Sequence, residues 1–352
     1  MTRSVVLQAA DDRWSLKLDL HTLAVTGVAG ALLILVTLFS LGSGSHPASW
    51  FESASALISE GDLGLRLVIM EIRLPRVLLG ILAGASLGIA GLILQGLVRN
   101  PLASPDVIGI SAGASAAAVL CLWLSSAAWL VPSAMAGALA VALLLVALTW
   151  YRGISPGRLV LVGVGLAAGL GSLTTLILVI SPDTTAMTAF IWLTGSLYAA
   201  QWQDVLGLAP WLLLGLPLVL AKARHLDIQA MGDSAAQGLG SSVQRHRLLF
   251  LLIAVALTGA SVAHVGALGF VGLISPHLAR RLVRSGHPGL VVLTAMIGAI
   301  ILVCADLVGR MAFMPRDLPA GIFVSGIGAP FFVYLLYRMR RSRTAIGIGG
   351  NQ

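Results

Sequence analysis

The stretch from Arg73 to Ser115, RLPRVLLGILAGASLGIAGLILQGLVRNPLASPDVIGISAGAS, limits the fold more tightly than any other. Beyond Arg76 it runs to Val98 without a charge, and glycine or alanine returns at nearly every turn. About 20 apolar residues cross the hydrocarbon layer of a bilayer as a helix. Small residues let neighbouring helices approach closely, which matters where lipid removes the hydrophobic drive for packing. The polar, proline-broken RNPLASPD then leads into another small-residue apolar run. This pattern predicts two close-packed membrane helices joined by a tight turn. The apolar runs are continuous rather than alternating, which argues against a β-barrel.

The whole chain fits that reading. Of its 352 residues 58% are hydrophobic and 10% charged, where a soluble domain carries about 25% charged residues. The sequence predicts an all-α polytopic membrane protein of about ten transmembrane helices, at 22–41, 74–97, 106–125, 130–150, 158–180, 204–222, 246–265, 268–284, 289–309 and 319–337. The eighth is expected to be short or bent at Pro276. Residues 42–72 read as an external segment with an amphipathic piece lying on the membrane, and 181–203 as an outer segment whose Trp192, Tyr198 and Trp202 form an interfacial belt. Asp11, Asp12 and Asp19 precede the first apolar run, which does not suit a signal peptide. Cys121 and Cys304 lie in apolar runs and are expected to be small buried residues without a disulfide.

Charge placement gives the orientation. The net charge of +8 does not point to nucleic acid, because the placement of the cations follows the order of membrane crossings. All but five of the 22 lysines and arginines fall in the N-terminal segment, at Arg99, at Arg152 and Arg158, between Lys222 and Arg247, between Arg280 and Arg284, and in the tail from Arg338. With ten crossings and the first helix leaving the cytoplasm, all these places are cytoplasmic, as the positive-inside bias requires. Both termini are then cytoplasmic. The exceptions, Arg66, Arg73, Arg76, Arg310 and Arg316, map outside. Cations on the far side need a reason, and a soluble partner protein supplies one.

A faint repeat divides the chain. Gly84-Ala85-Ser86, Gly91 and Pro101-Leu102-Ala103 recur as Gly259-Ala260-Ser261, Gly266 and Pro276 with Leu278-Ala279. Five helices per half is an odd number, so the halves would be inverted in the membrane, a frequent transporter architecture.

The chain has no engine of its own. A phosphate-binding P-loop needs a lysine after glycine, and Lys17 and Lys222 follow Leu16 and Ala221. No series of intramembrane acids suggests ion coupling; Asp106 and Asp306 are placed at helix ends, Asp106 as an N-terminal charge on the third helix. His264 and His277 are poor metal ligands, and no metal site is expected. The long polar segment RHLDIQAMGDSAAQGLGSSVQRHR (224–247) suits two short helices broken at Gly232 and ended by Gly238 and Gly240, a structured contact for an external motor.

Several segments in order are similar to the permease subunit of ATP-binding-cassette importers for iron chelates and vitamin B12. They are residues 73–115, WLTGSL (192–197), LDIQAMGDSAAQGLG (226–240), GALGFVGLISPHLARRL (266–282), ADLVGRMAF (305–313) and LPAGIFVSGIGAPFFVYLL (318–336). The resemblance implies one permease domain over 1–352, with 1–20 a cytoplasmic N-terminal segment, 223–247 the coupling segment and 338–352 a basic cytoplasmic tail. It implies that Arg73, Arg76 and Arg310 face the periplasm and pair with acids of a substrate-binding protein. Three of the five outside cations are thus those that the resemblance singles out. It further implies that Leu226, Ala230, Met231, Gly232, Asp233, Ala236, Leu239 and Gly240 couple to the ATPase subunit. Ser155, Pro156 and Gly157 correspond to the cytoplasmic gate, where the family more often has hydroxyl residues. The fifth and tenth helices line the pathway in relatives; here they carry Gly163, Gly165, Gly169, Gly171, Gly321, Gly326 and Gly328.

The expectation is an inner-membrane permease without cofactor, working with a second identical or paralogous permease, two ATPases that bind ATP and magnesium, and a periplasmic binding protein. A ferric siderophore, citrate-type chelates included, is the expected cargo; heme and cobalamin are alternatives, and an ion-coupled secondary transporter is the rival class.

Overall fold

A computed structural model describes residues 4–8, 15–44, 52, 63–124, 127–150, 153–283 and 285–347. Most of the predicted amphipathic external segment, and the start of the turn before the fifth helix, lie outside the described residues.

The chain opens on a two-stranded antiparallel ladder, β1 (Ser4–Gln8) with β2 (Ser15–Asp19), paired Ser4 to Asp19 through Gln8 to Ser15. Asp19 then caps α1 (Leu20–Gly42), its carboxylate accepting from the His21 amide. The remaining helices are α2 (Leu63–Val98), α3 (Ile110–Leu124), α4 (Leu130–Thr149), α5 (Pro156–Ile180), α6 (Asp183–Leu193), α7 (Trp202–Ala230), α8 (Asp233–Gly238), α9 (Val243–Val265), α10 (Val271–Leu282), α11 (His287–Met311) and α12 (Ala320–Gly347). Eight helices are long and apolar enough to cross a membrane. At the predicted third and eighth crossings stand α3 and α10, of 15 and 12 residues, shorter than the others.

Helix α2 is the axis of the bundle. From Arg73 to Val98 it is almost wholly buried, and it packs on α7, α9, α10 and α11. The glycine spacing explains how. An added Cβ on Gly84 would strike the carbonyl of Gly298 on α11, and one on Gly91 that of Gly272 on α10; on Gly88 it would lie 2.9 Å from the Thr294 oxygen. Helix α9 is mostly buried as well, while α1, α5, α7 and α12 expose most of their apolar surface. In a membrane, packed backbones hold such a core, and the exposed apolar faces meet lipid or partner subunits.

Two elements differ from expectation. The first coupling helix is the continuation of α7, which runs unbroken to Ala230 despite Pro210 and Pro217 because no stop signal precedes Gly232. There φ is +112°, and the chain turns into α8. Helix α3 starts at Ile110 rather than 106. Pro101 and Pro105 and the left-handed Gly109 (φ +86°) keep residues 99–109 in turns, so Asp106 lies ahead of the helix. Its carboxylate accepts from the Ser111 hydroxyl (2.7 Å) and the Phe270 amide (3.4 Å).

Candidate functional site

The residues predicted for docking and for coupling gather at the two ends of the bundle. At one end, α2 and α11 bring together the three arginines predicted for docking. All three residues are buried, at 4% exposure for Arg73 and 8% each for Arg76 and Arg310. Arg73 donates to the Leu41 carbonyl at 2.7 Å. Arg310 donates to the carbonyls of Ser40 (2.7 Å) and Ser43 (2.9 Å) and to the Ser40 hydroxyl. Both cations therefore close the C-terminal end of α1, where orphan carbonyls and the helix dipole favour positive charge. Arg76 grips Asp306, with Nε 3.0 Å from each carboxylate oxygen and Nη2 2.9 Å from Oδ1. Its Nη1 reaches Asp317 at 3.0 Å.

These groups are thus partnered within the chain instead of standing free as sequence suggested. Asp306 sits a full turn inside α11, four residues before Arg310, and is not a terminal charge. At this end Arg316 is exposed and Arg66 half-exposed. Sequence reasoning missed Asp317 and the α1 serines as partners. Truncating Arg76 would leave the buried Asp306 carboxylate without its counter-charge. Arg76→Ala is expected to cost about 3–5 kcal/mol of stability, measured as a lower melting temperature in detergent; Asp306→Asn should restore part of it.

At the opposite end, α8 stands on a frame of ion pairs. Asp233 is bonded by Arg99 and, at 2.9 Å, by Arg247. Burial pushes the Asp233 carboxyl up, but the two guanidinium groups outweigh it and hold it below the usual carboxylate value. Arg99, left-handed (φ +54°) at the end of α2, also donates to the Gln229 carbonyl at 2.9 Å. His287 contacts Asp227 through its ring Nδ1 at 2.6 Å and its backbone amide at 3.0 Å. Leu226 and Ala236 are buried anchors. Gly232 and Asp233 are half-buried, and Ala230, Met231, Leu239 and Gly240 are exposed. Met231 and Leu239 present two large apolar side chains at 67% and 63% exposure, one on each side of α8. Sequence reasoning treated Arg99 and Arg247 only as inside cations and did not single out Gln244.

The predicted gate residues Ser155 and Pro156, half-exposed, and Gly157, exposed, form the N-terminus of α5. The glycines predicted to line a pathway divide. Gly165, Gly169, Gly171 and Gly326 face open space. Gly163 does not line it: a Cβ there would meet the Ile108 backbone at 2.8 Å. Gly328 receives the Phe270 ring, and Gly321 the Thr194 carbonyl. These three are packing contacts, a distinction set by helix rotation. His264 contacts Asp204 at 3.2 Å, and His277 meets Phe331 edge-on. Among the described residues no group of three or more His, Cys, Asp or Glu side chains is placed to hold a metal ion.

Comparison with known proteins matches residues 32–338 to the FecCD transport family. The chain is 47% identical over 339 residues to the achromobactin transport system permease protein of Dickeya dadantii, covering 95% of this chain and 97% of that one. It is 44% identical to an Fe(3+)-citrate import system permease protein of Bacillus subtilis (88% and 93% covered) and 41% identical to the Fe(3+) dicitrate transport system permease protein of Escherichia coli (88% and 99%). A solved structure in an inward-facing conformation, assigned to the metal-chelate type of ABC transporter, superposes with a TM-score of 0.82 at 29% identity, covering 90% of this chain and 99% of that one.

Proposed function

The chain belongs to the FecCD transport family, and from that membership we infer that it is the permease subunit of an ATP-driven importer of ferric siderophores. The observation that carries the reading is near full-length likeness to permeases named for achromobactin and ferric citrate transport. The subunit is not an enzyme; ATP hydrolysis belongs to a separate ATPase. It spans a bacterial membrane several times, which we take to be the inner membrane, with both termini in the cytoplasm. We read ten crossings in two inverted halves. Equivalent repeat glycines support this: Gly84 packs on Gly298 of α11, and Gly259 on Ala138 of α4, each the fourth crossing of the opposite half.

The working assembly in this reading is two permeases, identical or paralogous, two ATPases holding ATP and magnesium, and a periplasmic binding protein. No cofactor is needed in this chain. The ATPases seat on α8 through Met231 and Leu239, and the Gly165, Gly169 and Gly326 faces border the path, closed from inside at Ser155–Gly157. The ferric chelate crosses intact, so the path needs no ligand for bare iron. Co-purification tests the assembly: the tagged permease should bring down an ATPase in detergent, and a bare permease with full transport would overturn the reading.

The binding protein docks over the arginine-rich end. Arg310 is held there by neutral acceptors, so its charge adds to that of exposed Arg316. The buried cations shape the field, and Arg316 meets the partner. Arg316→Glu is expected to slow association of the loaded binding protein about tenfold at low salt, converging at high salt, with an unchanged melting temperature. Surface-binding kinetics at two ionic strengths read this out; salt-independent, unchanged rates would remove docking from this end.

A further inference from the structure

We propose that Arg247 is the positioning residue that transmits movement of α8 to the gate at Ser155–Gly157. The proposal rests on the reading above, in which the ATPase moves α8 and that turn opens or closes.

Arg247 lies near the start of α9 with 2% exposure, an unusual burial for a full charge. Its two terminal nitrogens go different ways. Nη2 holds Asp233 Oδ1 of α8 at 2.9 Å, and Nη1 donates to the carbonyl of Ile154. Gln244, three residues earlier on the same face of α9, completes the grip. Its Oε1 accepts from the Ile154 amide at 2.9 Å. One residue of the turn is thus held by both its backbone groups, from one face of one helix. Gly153 beside it is left-handed (φ +110°), and a Cβ there would lie 2.6 Å from the Gln244 side-chain carbon.

The next residues are the gate itself. Ser155 is the N-cap of α5 and Pro156 its first residue, while a Cβ on Gly157 would meet nothing within 4 Å. A rigid grip on Ile154 therefore adjoins a segment with room to move. The other end is equally defined, because Asp233 is the first residue of α8, directly after the Met231–Gly232 break from α7, and is paired with the two arginines around it. A displacement of α8 has a short path to the gate: Asp233 carboxylate, Arg247 guanidinium, Ile154 carbonyl. A planar fork with donors in two directions is required. The lysine ammonium is a single point charge on a flexible stem and cannot hold both acceptors in fixed relation.

The test uses the complete importer, with its ATPases and binding protein, in proteoliposomes. In Arg247→Lys the ammonium retains a charge for Asp233 and Met231 and Leu239 are untouched, so the ATPases should remain bound, while chelate delivered per ATP hydrolysed falls about tenfold. Gln244→Ala should move the same ratio in the same direction, and it retains the charge pair should Arg247→Lys assemble poorly. Spin labels at Ser234 and Gly157 add a readout that simple destabilisation would not move. Nucleotide should shift both labels in the wild type, and in Arg247→Lys only the one at 234. An unchanged delivery ratio in both variants, or a label at 157 that still follows 234, overturns the linkage. A label at 234 that does not respond to nucleotide in the wild type would instead overturn the coupling role of α8, and the linkage with it.

Discussion

Gly91→Val is expected to abolish the cooperative melting of the purified subunit, whereas Gly169→Ala should melt at or slightly above the wild-type temperature. The two glycines look alike in sequence and sit in opposite surroundings. At Gly91 any Cβ runs into the backbone of Gly272, which cannot swing aside as a side chain would. The α2–α10 contact must separate, and the packing of α10 on α11 beside it is strained with it. Overpacking a core costs about 1–3 kcal/mol when side chains can adjust; a backbone clash at the bundle axis exceeds that range. At Gly169 nothing lies within 4 Å, and alanine gains about 0.5–1 kcal/mol of helix stability over glycine. Thermal unfolding in detergent measures both, and a normal transition for Gly91→Val would mean that α2 and α10 do not pack as described.

The second large effect is loss of the motor. Met231→Asp with Leu239→Asp should weaken ATPase binding by roughly a hundredfold to a thousandfold, the loss of two apolar anchors at about 2 kcal/mol or less each. Both side chains project from a segment whose own fixation lies elsewhere, in Leu226, Ala236 and the Asp233 pairs. The subunit should therefore fold and melt normally. Co-purification and titration of the ATPase measure the loss; unaltered affinity would place the motor on another surface.

Continuous apolar runs made the helices legible, because a bilayer leaves the backbone few alternatives. Two helices within 246–284 were expected from charge, since Arg280–Arg284 and the tail were both read as facing inward, and α9 and α10 stand there. Side-chain partners were not. Arg76 and Asp306 are 230 residues apart, and no local pattern connects them. Arg73 and Arg310 read from sequence as outside cations, and their burial follows from where α1 ends. Gly163 and Gly165 differ only in the direction they face, which depends on the rotation of α5 against residues 99–109. Arg247 carried no signal beyond its charge; its two partners come together only where α8, α9 and the turn at Ile154 meet.

Uptake of labelled ferric chelates by cells lacking and then regaining this gene tests the central claim most directly. The account predicts that a ferric siderophore, with citrate-type chelates in the panel, enters only when the gene is present, and that ATP depletion stops entry even while the ion gradient is maintained. Entry driven by the gradient alone, or restoration of heme or cobalamin uptake with no ferric chelate carried, would contradict it.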